Sequence, residues 1–122
     1  MVAFTIEGSL PGLNEYTKAC RTNPYTGAKM KRECEEFVMW TCKNIDALII
    51  GAVVIDFKWI EKDRRRDPDN ISSFGRKVIL DALVKTGIIT DDSQEYILGF
   101  RDFFEVDAEN PRIEVAIREA GA

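Results

Sequence analysis

The chain of 122 residues has no histidine. Its three cysteines, Cys20, Cys34 and Cys42, are odd in number and form no CxxC pair. Without imidazoles to complete a ligand set, zinc coordination is disfavoured, and the thiols read as packing groups in a reduced, cytoplasmic protein. Long apolar runs are missing as well. The longest, Ala47 to Ile55, falls far short of the roughly 20 residues that a membrane-spanning helix needs. The N-terminal MVAFTIEGSL has neither a basic flank nor an extended apolar segment, so no export signal and no membrane partner are expected. Neither internal repeats nor low-complexity segments occur.

What is present is a globular composition. With 45% hydrophobic and 31% charged residues, a single domain over residues 1–122 with its own core is expected. A net charge of −4 and an isoelectric point near 4.9 argue, as totals, against a nucleic-acid partner. The distribution argues the opposite. Between Gly12 and Arg32 stand five cations (Lys18, Arg21, Lys29, Lys31, Arg32) and one acid (Glu15), whereas from Ile89 onward three cations face nine acids. An acidic protein can carry a basic patch if its fold gathers the first segment and Arg64, Arg65 and Arg66 on one face. On a nucleic acid these cations would be expected to touch phosphates rather than bases, with Arg76 as a further candidate contact.

Alternation of Val2, Phe4 and Ile6 predicts a first strand. The turn formers from Leu10 to Asn14 and from Asn23 to Gly27 predict one long loop after it. From Ala28 to about Asn44, the residues Met30, Cys34, Phe37, Val38 and Thr41 recur at helical spacing, with Lys31, Arg32, Glu35 and Glu36 off that stripe. Ala52 to Glu61 reads as a strand with Val53, Ile55, Phe57 and Trp59 on one side and Asp56 and Lys58 on the other. A second helix is predicted from about Pro68 to Gly87, with Ile71, Phe74, Val78, Ile79 and Ala82 inward and Lys77 paired to Asp81 off the stripe. Tyr96 to Glu105 and Arg112 to Arg118 predict a closing hairpin about the Asp107 to Pro111 turn. The expected fold is α+β: a two-layer sandwich with one mixed or antiparallel sheet of about four strands and two helices on one face. A homodimer would hide the surface left over. Trp40, Trp59 and the Phe103-Phe104 pair are expected in the core or at that dimer contact.

The chemistry concentrates between Lys62 and Gln94. Three arginines lead into Asp67-Pro68-Asp69-Asn70, and another acid pair, Asp91-Asp92, returns at the far end of the predicted helix. Asp67 and Asp69 lie two apart in an extended turn just past a strand end, so both carboxylates can face one side. Two such groups about 5 Å apart repel by roughly 3 kcal/mol at an effective dielectric near 20. They need a divalent cation, a partner arginine or raised pKa values. Oxygen ligands without histidine or thiolate favour Mg²⁺ or Mn²⁺, ions that activate water and neutralise charge on a phosphodiester oxygen. Lys77 is a further cation for that phosphate. The plainer alternative is a solvated charge run in which Asp67 caps a helix. A calcium loop fits poorly, because Ile71 fills its fifth place and Ser72 the place reserved for glycine.

The set Arg64 to Arg66, Asp67-x-Asp69-Asn70, Lys77-x-x-x-Asp81-Ala82-Leu83, Gly87 and Asp91-Asp92-x-Gln94, preceded by Leu10-Pro11, Asn14 and Tyr16, resembles the RusA family of Holliday-junction resolvases over nearly the whole chain. The resemblance implies a homodimeric, Mg²⁺-dependent endonuclease, often encoded by phages and prophages, that makes paired nicks in four-way junction DNA during recombination and repair. By matching position it implies Asp67, Asp69 and Asp92 as the essential metal-binding carboxylates. It implies Lys77 as the essential lysine when the alignment is anchored on Asp81-Ala82-Leu83. One departure stands out: between Asp69-Asn70 and Asp81 the chain is about one helical turn longer than the family pattern. Counting from Asp69 puts Ser73 in the lysine's place, and Lys77 then lies about 12 Å of helix away. The competing reading is a catalytically silent junction-binding protein that keeps the basic face; the intact acids favour the enzyme. In the free protein Asp92 is expected among like charges, so that neutralising it would relieve repulsion.

Overall fold

Alternating apolar residues build the sheet, and helical stripes cover it. The computed structural model describes residues 1–120, in the order β1 (Val2–Glu7), α1 (Leu13–Thr22), α2 (Pro24–Cys42), β2 (Val53–Glu61), α3 (Pro68–Lys85), β3 (Ile97–Val106) and β4 (Arg112–Glu119). The four strands form one mixed sheet in the order β1-β4-β2-β3. Phe4, Val115 and Phe57 lie in register across β1, β4 and β2, as do Ile6, Ile113 and Trp59. These rows meet the helices in one core with Val38, Phe74, Val78 and Ile79. The opposite face carries Thr5, Asp56, Lys58 and Glu114. The α+β sandwich with a mixed four-stranded sheet is therefore the observed architecture.

The predicted β3–β4 hairpin does not form. β3 runs parallel to β2, as a strand–helix–strand crossover through α3 requires. β4 instead inserts between β1 and β2, antiparallel to both. The 107–111 turn crosses the end of β2, where Asp107 N–H donates to the Glu61 carbonyl and Gly8 N–H to the Pro111 carbonyl. Burial explains the choice. Ile113, Val115 and Ile117 are fully enclosed, which a position with a strand on either side provides, while β3 takes the edge with Phe103 and Phe104 half exposed.

Most of the predicted loop after β1 is helix, so three helices cover the sheet instead of two. The Asn-Pro pair that reads as a turn is also a helix start. Asn23 Oδ1 accepts from the N–H groups of Tyr25 and Thr26 at 2.9 and 3.0 Å, and Pro24 fills the first helical position, where an N–H would have no partner anyway. The Tyr16 ring stacks on Phe74 at 4.3 Å and fastens α1 to α3.

The buried face of α2 is shifted from the apolar stripe. Val38 and Cys42 are inside, but so is Glu35, while Phe37 and Trp40 are 45% and 68% exposed. Glu35 is tolerated because α3 matches it: Lys85 Nζ lies 2.7 Å from Glu35, and Lys31 Nζ lies 3.1 Å from Glu35 and 2.8 Å from Asp81. A buried carboxylate persists only with such partners. Trp59 is in the core, one of the two expected places, its Nε1 donating to Asp102 at 2.8 Å; Trp40, Phe103 and Phe104 are not in the core but on the surface, where the expected dimer contact would lie. All three cysteines are free thiols; burial pushes the Cys42 pKa up to about 11. Among the described residues no helix is long and apolar enough to cross a membrane.

Candidate active site

The last residues of β2 deliver the chain to Arg66, and α3 starts two residues later. Asp67 is the N-cap of α3 and Asp69 lies in its first turn. The capping alternative for Asp67 is not realised, since its side chain makes no capping hydrogen bond. The fixed φ of Pro68 suits the helix start and sets the two carboxylates on an unstrained turn. Both are exposed, and together they line a hollow with Leu13, Asn14, Pro68 and Asn70. A helix N-terminus offsets part of their mutual repulsion through its partial positive charge.

Two turns further along α3 lies a second cluster. Lys77 Nζ is 3.2 Å from Asp81 and 3.4 Å from Asp92. Asp92 thus faces a cation rather than like charges, which overturns the expected repulsion: the 90–93 turn packs beside α3 at the level of Lys77. An alternating chain of charges follows, from Lys85 through Glu35, Lys31, Asp81 and Lys77 to Asp92. The strongest influence on the Lys77 pKa is its hydrogen bond to Asp81, which raises it. Lys77 thus lies as an ammonium between two carboxylates. For Asp81, burial pushes the pKa up, but hydrogen bonds from Lys31 and Lys77 outweigh burial and hold it below the usual carboxylate value.

Asp67 and Asp69 are thus together, Lys77 and Asp92 are together, and about 12 Å of helix separates Asp69 from Lys77. Among the described residues no three acids or thiols are gathered into one metal-binding group. The donor pair at the head of α3 nevertheless suits Mg²⁺, which is bound through one or two carboxylates, with waters and substrate phosphates filling the remaining positions.

The candidate DNA contacts divide into free and engaged cations. Lys18 and Arg21 share the outer groove of α1 with Asn14, Thr17 and Thr22. Asn14 also lines the hollow of Asp67 and Asp69, so the basic face of α1 is continuous with the acid pair. Arg32 and Arg64 are exposed. Arg65 is 87% exposed and only loosely paired to Asp63 at 3.6 Å, and Lys29 to Glu33 at 3.8 Å.

Three others are engaged within the protein. Lys31 is held by Asp81 and Glu35. Arg66 pairs with Glu61 at 2.8 Å, reaches Glu15 at 3.4 Å and donates to the Leu10 carbonyl. Arg76 pairs with Asp102 and lies over the Phe100 ring at 5.0 Å. These three brace the fold in the free protein. Their engagement follows from carboxylates distant in sequence, which charge spacing along the chain does not reveal.

Sequence reasoning assigned no role to Asn70, which stands in the quoted motif, or to Gly12, which falls at an open position of it. Asn70 Oδ1 accepts from Asn14 N–H at 2.8 Å. The available signal was the joint presence of Leu10-Pro11, Asn14 and Asp69-Asn70, which meet in space. A family model described as endodeoxyribonuclease RusA matches residues 17–118, and no curated protein matches the chain.

Proposed function

The chain belongs to the RusA endodeoxyribonuclease family, and from that premise we propose that it is a divalent-metal-dependent nuclease that resolves four-way DNA junctions by paired nicks. The observation that carries the reading is the continuity of the uncapped Asp67 and Asp69 carboxylates with the basic groove of α1. Acids beside a phosphate-binding groove hinder binding unless a cation lies between them and the phosphate.

Asp67 and Asp69 would hold Mg²⁺, or Mn²⁺, and Asp92, held by Lys77 about two helical turns further along α3, would join them only through a shift of the 90–93 turn when substrate binds. The bound ion supplies an activated water and neutralises charge building on the phosphodiester. Lys18 and Arg21 seat the backbone of one strand, aided by Arg32, Arg64 and Arg65. Lys77, about 12 Å of helix from Asp69, offers positive charge further along the phosphate path, its position set by Asp81 and Asp92. An incoming phosphate competes with Asp92 for Lys77, which frees the Asp92 carboxylate as substrate arrives.

Paired nicks need two sites, and β3 supports a two-fold dimer. It is an edge strand on which Leu98, Phe100, Phe103, Phe104 and Val106 are 39–61% exposed, a combination that invites strand pairing with a second copy. An antiparallel β3–β3 pairing centred on Phe103 would set Arg101 opposite the partner's Glu105, and the reverse, so the edge is complementary to itself in charge.

The test is cleavage of a synthetic four-way junction beside linear duplex and single strands, with and without Mg²⁺. The reading predicts symmetric nicks in the junction alone, dependent on the metal. Tight junction binding without nicks would instead identify a junction-binding protein.

A further inference from the structure

The first turn of α1 lacks a cap of its own. Gly12 occupies the N-cap position, where a serine, threonine or aspartate side chain would ordinarily accept from the N–H of the second or third helical residue. Asn14 is that second residue. Its N–H is satisfied from outside, by Asn70 Oδ1 at 2.8 Å, across 56 positions of sequence. A Cβ at residue 12 would fall 2.6 Å from the same Oδ1 and 2.9 Å from Arg66 Nη1. Glycine is therefore present because the oxygen that caps the helix arrives from α3 and fills the space a side chain would need. Glu15 completes the arrangement by accepting from Gly12 N–H at 3.2 Å and from Arg66 at 3.4 Å.

We infer that Asn70 is a positioning residue: as the surrogate N-cap of α1, it locks the basic groove of α1 to the Asp67–Asp69 turn and so fixes the phosphate path relative to the metal-binding acids. This rests on the nuclease reading above for its functional half and on geometry alone for the cap. Asn70 directly follows Asp69, and Asn14 lies on both the groove of Lys18 and Arg21 and the hollow of the acids. One hydrogen bond thus joins the two halves of the site. Tyr16 on Phe74 holds the body of α1, so losing the Asn70 bond would shift the first turn without unfolding the helix. A displacement of about 1 Å at a reacting centre costs up to about a hundredfold in rate.

The experiment separates capping from positioning with two variants. Asn70→Ala removes cap and link together. Asn70→Ala combined with Gly12→Ser restores a local cap, because the Oδ1 that excluded a side chain is gone and the remaining neighbour is the flexible end of Arg66, but it cannot restore the link. Each is measured for Asn14 amide exchange, melting temperature, junction affinity in Ca²⁺ and single-turnover nicking in Mg²⁺ at saturating enzyme. Asn70→Ala should exchange the Asn14 amide at least about tenfold faster and nick about ten- to a hundredfold more slowly, with junction affinity nearly unchanged. The double variant should recover amide protection and melting temperature while nicking stays slow. Wild-type nicking in the double variant would overturn positioning and leave a cap only. Unchanged Asn14 exchange in Asn70→Ala would overturn the cap. A wild type that never nicks the junction rejects the nuclease reading instead, and the exchange data still decide the cap.

Discussion

Replacing Asp81 by asparagine removes the one carboxylate that Lys31 and Lys77 share. Its side chain is only 17% exposed, with Lys31 Nζ at 2.8 Å and Lys77 Nζ at 3.2 Å. A hydrogen bond between charged groups contributes about 1.5–3 kcal/mol. The Lys77 arm, more than half exposed, contributes less, under about 1 kcal/mol. Asparagine keeps one acceptor and loses the charge, so a net cost of about 2 kcal/mol is expected. With an unfolding entropy of about 2.1 cal/mol/K per residue over 122 residues, that corresponds to a melting temperature lower by about 8 °C. The pH dependence follows from sign. Asp81 titrates below its ordinary 3.8 in the folded protein, so its contribution is complete above that value and is lost as pH falls through the lower, folded pKa. Thermal melts of wild type and Asp81→Asn from pH 7 downward should show a gap that is widest at neutral pH and closes only in acid below 3.8. Equal melting at pH 7, or a gap that persists unchanged into strong acid, would refute the charge chain as a source of stability.

Asp92→Asn loses its pair with Lys77, so its melting temperature should fall by no more than about 4 °C, with junction binding retained in gel shifts and Mg²⁺-dependent nicking abolished; Asp91→Asn should do less. Lys18→Ala with Arg21→Ala should weaken binding to all junction sequences alike and flatten the salt dependence of log K by about two phosphate contacts, as read from affinities across a salt series; altered sequence preference at constant slope would contradict the groove assignment. Phe103→Arg should convert a dimer of 13.9 kDa chains to monomers in sedimentation at micromolar concentration, and an unaffected dimer would place the interface elsewhere.

Periodicity made β2, β4 and α3 readable because each buries one regular face: Val53 to Trp59, Ile113 to Ile117 and Ile71 to Ala82 lie inside as spaced. It failed where the stabilising partner is remote. Glu35 reads as a solvated residue until Lys31 and Lys85 are seen around it. Asn23-Pro24 carries a turn signal and a helix-start signal at once, and the fold realises the second, with Asn23 capping α2. The β3–β4 connection looks local in sequence, yet the burial of Ile113, Val115 and Ile117 draws β4 across β2. At the head of α3, Asp67 and Asp69 line one hollow as their spacing of two implies, and the Lys77–Asp81 pair forms as its i,i+4 spacing requires. The division of the arginines into exposed and engaged ones was not legible, because Glu61, Glu15 and Asp102 reach Arg66 and Arg76 only through the fold.

Asp67→Asn and Asp69→Asn, each on a synthetic four-way junction, decide whether these two carboxylates hold the catalytic metal beside the basic groove of α1. Junction affinity is measured in Ca²⁺ and single-turnover nicking in Mg²⁺. Loss of a metal-bound transition state worth several kcal/mol predicts nicking slower by about a thousandfold or more in each variant, with affinity equal to or above that of wild type because negative charge has been removed from the phosphate path. Wild-type nicking by both variants would show that the metal is held elsewhere and that Asp67 and Asp69 are not its ligands.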